Sequence, residues 1–176
     1  DIVIKDTHYH SALQRSIFSN TDWSLIRACA ATLWLVKPRP PGHRPCFVAA
    51  VDPPHARDKP ADLDRRILAA ATELCTALGG EVHVFSAAYS EASLREILLL
   101  ADHVVFNSCS QWLRFQPLLR AAKSHRPQLQ FGLRINPEHS EGAVPIYDPC
   151  APGSRLGIPL SQLDESVLDG ISGLHF

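Results

Sequence analysis

The stretch from Ala61 to Ser86, ADLDRRILAAATELCTALGGEVHVFS, decides the fold class. Leu63, Ile67, Ala71, Leu74, Cys75 and Leu78 recur at the spacing of one helical stripe, so the pattern predicts a helix over Ala61 to Leu78. Gly79 and Gly80 follow as a left-handed stop. The period then changes, because Glu81 to Ser86 is a short run rich in β-branched and apolar residues and reads as a strand. A helix feeding directly into an apolar strand is the unit from which α/β proteins are built.

The same alternation extends in both directions. Strands are predicted at Asp1 to Lys5, Thr32 to Val36, Cys46 to Asp52, Glu81 to Ser86, His103 to Asn107, Gln130 to Ile135 and Ser172 to Phe176. Most are apolar on both faces, as strands between layers of helices must be. A helix capped by Thr21 carries Trp23, Leu25, Ile26 and Cys29 inward, and another, capped by Ser90, carries Leu94, Ile97, Leu98 and Ala101. Trp112, Phe115, Leu118 and Leu119 have helical spacing within Gln111 to Ala122, where Pro117 is expected to kink the helix or start a new one. The reading is an α/β fold of about seven mostly parallel strands and five helices. Two segments resist it. Lys37 to Pro45 holds four prolines and reads as a linker, and Asn136 to Pro159 reads as a long loop of the kind that carries function.

Composition narrows the function classes. The 176 residues suit one ordinary domain, or two very small or incomplete ones, and 45% hydrophobic with 20% charged content is globular. A formal charge of -1 provides no global field to collect nucleic acid or anionic membrane. The longest uncharged apolar run, Ala28 to Val36, is about half of a membrane crossing, and no secretion signal is evident, so a cytoplasmic location is expected. Five cysteines with no C-x-x-C spacing argue against a disulfide framework or a zinc knuckle. The chain has no methionine, opens directly on an apolar triplet and stops at Phe176 without a polar tail, so it is expected to be a piece of something larger.

Two resemblances divide the chain. Asp1-Ile2-Val3-Ile4-Lys5-Asp6-Thr7-His8, Thr21-Asp22-Trp23-Ser24-Leu25-Ile26-Arg27 and Leu33-Trp34-Leu35-Val36-Lys37 look like the last strand, helix and strand of one universal stress protein repeat. Pro45 to Asp52 and the helix after it look like the start of a second repeat. Over roughly Asp1 to Tyr89 the chain therefore resembles a tandem universal stress protein, a Rossmann-like fold: residues 1–37 end the first repeat, 38–45 link, and 46–89 begin the second. Members that bind ATP use a glycine loop so that backbone amides reach the phosphates. Here Asp6, Tyr9 and Ser19 fall where those glycines would be, so no ATP site is expected.

From about Gly80 onward the resemblance changes. Val82-His83-Val84-Phe85-Ser86-Ala87-Ala88-Tyr89, Ala101-Asp102-His103-Val104-Val105-Phe106-Asn107-Ser108, Gly132-Leu133-Arg134-Ile135-Asn136-Pro137-Glu138-His139-Ser140 and Tyr147-Asp148-Pro149-Cys150-Ala151-Pro152-Gly153-Ser154-Arg155-Leu156-Gly157 are similar to carboxynorspermidine decarboxylase. This resemblance implies residues 80–176 of a (β/α)8 barrel, pyridoxal phosphate as cofactor, a small polyamine precursor as substrate and carboxynorspermidine or carboxyspermidine decarboxylation as activity. Residues 80–89 fit both families and are the expected splice. A chimera, a recombined gene fragment or an assembly artefact is implied.

The resemblance also implies what is missing. Its Schiff-base Lys precedes the represented part, while the acidic partner, most phosphate ligands and the catalytic cysteine of its second domain lie beyond Phe176. Its ring-stacking His follows a Gly-Leu-His-Phe string, so His175 is two places short of it. No catalytic residue is therefore assigned, and the chain alone is expected to be inactive. Arg134, at the end of a barrel strand, and Arg155, in the Ser-Arg-Leu-Gly turn, remain as candidates for the cofactor.

Other groups read as structure. His8 and His10 lack a third metal ligand, Trp112 and Phe115 read as core, Arg65 and Arg66 beside Asp62 and Asp64 read as a solvated face, and Cys150 near Asp148 is not expected to be nucleophilic. Half a barrel would leave strand edges and a core face uncovered, which calls for homodimerisation or a new sheet pairing. The alternatives are a stress-type binding module without nucleotide and a joined sequence with no selected function.

Overall fold

The computed structural model describes residues 2–6, 21–36, 44–53, 60, 62–139, 149–151 and 153–175. His8, His10, Tyr9, Ser19 and Asp148 lie outside the described residues, as do 37–43 of the expected linker and most of the loop after Asn136. The chain divides into two units, Asp1–His43 and Arg44–Phe176.

In the first unit β1 (Ile2–Asp6), α1 (Thr21–Ala28) and β2 (Thr32–Val36) form one β-α-β segment. The two strands pair in parallel from Ile2↔Thr32 to Asp6↔Val36. Two strands cover little of a helix: Leu25 and Cys29 are half-buried, whereas Ile26, expected inward, is 52% exposed.

The second unit runs β3 (Cys46–Ala50), α2 (Leu63–Leu78), β4 (Glu81–Phe85), α3 (Glu91–Leu100), β5 (His103–Phe106), α4 (Cys109–His125), β6 (Gln130–Asn136), β7 (Ile158–Pro159) and β8 (Gly173–His175). Short 3-10 turns at Leu160–Gln162 and Glu165–Leu168 precede β8. Every pairing is parallel, and the chain segments before and after the expected splice share one sheet. Four α-helices stand among the described residues where five were expected over the whole chain.

Strand order carries the topology. β3, β4, β5 and β6 lie side by side in sequence order, and β8 joins β6 through Gly132↔Gly173, Leu133↔Leu174 and Arg134↔His175. Up to β5 this order suits either a barrel segment or the first strands of a doubly wound sheet. The pairing of β6 is decisive, because a doubly wound sheet would return it to the far side of its first strand. Here it pairs with β5, from His103↔Gln130 to Phe106↔Leu133. Sequential parallel strands with right-handed crossovers place every helix on one face.

Alternation along the strands confirms that one face is covered. Ala49, Val82, Val84, Val104, Phe106, Phe131, Leu133 and Ile135 pack with Leu68, Leu94, Ile97, Trp112, Phe115 and Leu119 in one buried cluster. Trp112 and Phe115 are therefore core, as expected. The stripe on α2 differs from expectation at both margins: Leu68 is buried, while Leu78 is 54% exposed in the last turn, where Gly79 (φ 70°) takes the chain out of the helix. Serine caps open α3 and α4: Ser90 Oγ accepts from the Ser93 amide at 3.1 Å, and Ser108 Oγ from the Gln111 amide at 3.3 Å. Pro117 neither ends α4 nor starts a new helix. Both it and Leu113, whose carbonyl loses its partner, lie on the exposed side, where water replaces the missing bond.

Phe106 is fully buried, and its ring lies 5.7 Å from Trp112, 5.5 Å from Tyr89 and 6.4 Å from Phe131. Phe106→Ala should therefore lower unfolding free energy by about 3–5 kcal/mol, read as a reduced urea midpoint at unchanged slope. Leu99→Ala, at a 75% exposed position, should stay within about 0.5 kcal/mol.

Candidate functional site

The second face of the larger sheet carries the residues that alternate with the core. Register places Val48, His83, Phe85, His103, Val105, Gly132, Arg134, Gly173 and His175 on it. Helices do not cover it, and Val48 is 65% exposed. In a singly wound parallel sheet, chemistry gathers at the C-terminal strand ends, where the β-to-α loops meet.

Two buried asparagines shape that rim. At the end of β5, Asn107 Nδ2 donates to the Arg155 carbonyl at 2.8 Å and its Oδ1 accepts from the Gly157 amide at 2.9 Å. At the end of β6, Asn136 Nδ2 donates to the Ala151 carbonyl at 3.3 Å, and its Oδ1 accepts from the Glu138 amide at 2.8 Å. The described part of the long loop is thereby tied across both strand ends. Gly157 has φ +89°, and a Cβ there would lie 2.7 Å from the Asn136 nitrogen, so the loop approaches β6 more closely than a side chain allows. Deeper in the sheet, the Tyr89 hydroxyl donates to the Val105 carbonyl at 2.9 Å, and burial pushes its pKa well above the usual phenol value. Gln111 holds the β4 to α3 loop by accepting from the Tyr89 amide and donating to the Ala87 carbonyl.

Arg134 stands inside this rim with only 9% of its surface exposed. Its guanidinium lies 4.9 Å from the centre of the Phe85 ring, a cation–π contact that partly compensates burial. Burial still pushes its pKa down, with Cys150 near enough to act in the opposite direction. No carboxylate pairs with Arg134 among the described residues. A buried, unneutralised guanidinium favours an anion, because a counter-charge offsets its desolvation. The His175 ring lies 5.4 Å from that of Phe85, and burial followed by the Arg134 charge lowers its pKa.

The two sequence candidates thus separate in role. Arg134 is the buried cation of the rim, whereas Arg155 is exposed and supplies its main-chain carbonyl to Asn107. Cys150, set aside from sequence, comes within electrostatic reach of Arg134. Sequence reasoning missed Phe85, Asn107 and Asn136, since their roles depend on strand register or on bonds to a distant loop. The only local signal was a polar residue ending an otherwise apolar strand.

A histidine row occupies the other end of the face. The His83 and His103 rings are 4.8 Å apart, and His103 lies over Gly132 and Gly173, where an added Cβ at Gly132 would be 2.8 Å from His103 Nε2. That nitrogen is buried without a hydrogen-bond partner. His83 Nε2 sits 3.5 Å from Glu81 Oε2, and Glu81 Oε1 accepts from Arg44 at 3.2 Å. No group of three His, Cys, Asp or Glu side chains is placed to hold a metal among the described residues. No helix among them is long and apolar enough to cross a membrane, and no two of the five cysteines, all among the described residues, are joined in a disulfide.

The described residues do not complete a pyridoxal phosphate site. Of four lysines in the sequence, Lys5 belongs to the first unit, Lys123 lies over Phe131 on the helix-covered side, and Lys37 and Lys59 fall outside the described residues. A buried arginine is present on the open face; a lysine amine is not, among the described residues.

Burial, then the neighbouring His83, lower the His103 pKa from 6.5; Glu81 opposes this and His175 reinforces it. His175 is lowered by burial and Arg134. Between the lowered folded values and 6.5 the unfolded chain binds more protons, so stability falls as pH drops below the unfolded value and levels off above it. Urea midpoints should be lower at about pH 5.5 than at about pH 7.5, and His103→Gln should flatten the difference.

Comparisons with known proteins return both families that the sequence resembles, with the stress-protein similarity extending further than residues 1–89. The chain is 40% identical over 95 residues to a carboxyaminopropylagmatine decarboxylase from a Synechocystis species, a match covering 54% of this chain and 23% of the relative. It is 40% identical over 96 residues to a carboxynorspermidine/carboxyspermidine decarboxylase from Campylobacter jejuni, with the same two shares. It is also 30% identical over 148 residues to universal stress protein E of Escherichia coli, covering 82% of this chain and 45% of that protein. The chain is thus a composite in similarity, and the two shares together exceed its length, so the similarities overlap. It spans less than a quarter of the decarboxylases and under half of the stress protein. The crystal structure of carboxynorspermidine decarboxylase complexed with norspermidine from Campylobacter jejuni matches 58% of this chain and 23% of that one, at 33% identity and a TM-score of 0.42. No family model matches.

Proposed function

We propose that the segment from Gly80 onward is the anion-holding portion of a pyridoxal-phosphate decarboxylase barrel acting on a carboxylated polyamine precursor, and that this chain alone does not turn over. The observation that carries the proposal is Arg134: buried, stacked on Phe85 at 4.9 Å and without a carboxylate partner among the described residues, at the C-terminal end of a sequentially ordered parallel sheet. The 40% identity to decarboxylases over 95 and 96 residues supports the family part of the reading. Arg134 would hold an anionic group of the cofactor or its ligand, with Arg155 contributing from the tethered loop. When bound, pyridoxal phosphate supplies the electron sink for loss of carbon dioxide. The described part of the open face offers no amine to attach it, which supports the absence of turnover in this proposal. In an intact barrel the remaining strands would cover that face; without them, self-association is expected.

A specific observation favours a second reading. Similarity to universal stress protein E reaches well past Tyr89, over 82% of the chain, so a stress-type binding module without nucleotide is the alternative. The carboxylate of Asp6 and the ring of Tyr9, in place of glycines, oppose a triphosphate there. A join of two genes with no selected function is the third, and its splice would fall in the residues 80–89 that fit both families.

Incubation with pyridoxal phosphate, borohydride reduction and peptide mapping should label no single lysine stoichiometrically, and carboxynorspermidine should release no carbon dioxide above background. One uniquely labelled lysine would contradict the proposal. ATP should leave the melting temperature unchanged; clear stabilisation would show that the glycine argument fails. Flanking genomic sequence that continues as a stress protein upstream and a decarboxylase downstream would establish a natural fusion, whereas two separate genes would establish an artefact.

A further inference from the structure

The outer side of α3 carries the most exposed large apolar side chain among the described residues, Leu99, at 75%. Leu94, Ile97 and Leu98 of the same helix turn inward and are buried. That leaves Ala92, Arg95, Glu96 and Leu99 as one exposed stripe at i, i+3, i+4 and i+7. A lone exposed leucine is ordinary. This one stands between two opposite charges.

The charges lie on opposite flanks of the stripe. Glu96 faces α2, where its Oε1 accepts from Arg65 Nη2 at 3.4 Å. Arg95 faces α4, along the groove that Leu118 and Ala121 line, and its Nη2 donates to Glu91 Oε1 at 2.7 Å. Both intrachain pairs are exposed, and exposed pairs are worth little, so both charges stay available to a facing surface.

Such a stripe complements itself. A twofold axis running along α3 sets Leu99 against Leu99 of a second copy and exchanges the flanks, so each Arg95 comes opposite Glu96 of the other chain, twice. Head-to-tail pairing keeps each flank on its own side, and would set arginine against arginine and glutamate against glutamate. Charge therefore selects the parallel arrangement. A purely acidic or purely basic partner would satisfy only one of the two charges, whereas a second copy satisfies both. Ala92, one turn of the stripe away, is small enough to let the two helices approach. Specific dimers bury about 1,600 Å² in total, which one ten-residue helix cannot supply, so the association is weak.

We propose that α3 is a self-association surface on which a second copy of this chain docks in parallel, Leu99 on Leu99, with an Arg95 to Glu96 pair on each side. The surface lies on the helix-covered side of the sheet and rests on neither reading of the catalytic rim.

The test uses the full chain carrying Val48→Lys, at a 65% exposed position, so that association through the uncovered sheet face does not contribute. Sedimentation equilibrium from about 10 μM to about 1 mM in low salt should fit a reversible monomer–dimer equilibrium. Adding Arg95→Glu or Glu96→Arg should weaken it roughly tenfold or more, since two attractive pairs become repulsive. An equimolar mixture of these two variants should associate as well as their parent, because each chain supplies the charge that the other lacks; a misfolded variant would not be rescued in this way. Leu99→Lys should abolish association. A chain that stays monomeric throughout, a mixture that associates no better than its components, or association that survives Leu99→Lys overturns the proposal.

Discussion

The parallel pairing of β6 with β5 is the constraint from which the rest of the larger unit follows. Had β6 returned to the free edge of β3, helices would lie on both faces and the strand ends would diverge around a crevice. Pairing from His103↔Gln130 to Phe106↔Leu133 instead keeps the winding in one direction. All helices then fall on one side, and residues of opposite parity are left on a face that no helix covers. Val82, Val104 and Phe131 become core for the same reason that His83, His103 and Arg134 become site residues.

That bare face explains the distribution of polar groups. Asn107 and Asn136 are buried because each exchanges hydrogen bonds with loop backbone that would otherwise be unsatisfied. Their bonds hold the loop segments that carry Cys150 and Arg155 over the strand ends. Phe85 gives the guanidinium a surface to lie on, and the His175 ring packs against the same phenyl group. The arrangement is a buried cation with no carboxylate partner among the described residues. It lacks, among the described residues, the nucleophilic amine that would make it a complete pyridoxal phosphate site.

Much of the architecture was legible because helix and strand periods are local. The strands at Thr32–Val36 and Glu81–Phe85, the helix ending at Gly79 and the cap at Ser90 depend on neighbours a few residues away. Whether Pro117 would interrupt α4 was not legible, because a proline's cost depends on whether its side of the helix meets water, and the spacing of Trp112 and Phe115 alone does not give that side. Leu68 and Leu78 exchanged places because the rotation of a helix against a sheet is set by packing over its whole length. Arg134 was legible from its position at a strand end; Asn107 was not, because its partners lie 48 and 50 residues away. His103 over Gly132 and Gly173 is a cross-strand relation that only register reveals.

Winding direction is therefore the property on which both the covered core and the anion-favouring rim depend. Nuclear Overhauser contacts between backbone amides read it without perturbing the chain. The parallel register predicts contacts from Phe131 to Leu133 onto Val104 to Phe106, and none from that segment onto Phe47 to Ala49. Contacts onto Phe47 to Ala49 in their place would mean a doubly wound sheet, and the open face with its buried arginine would not exist.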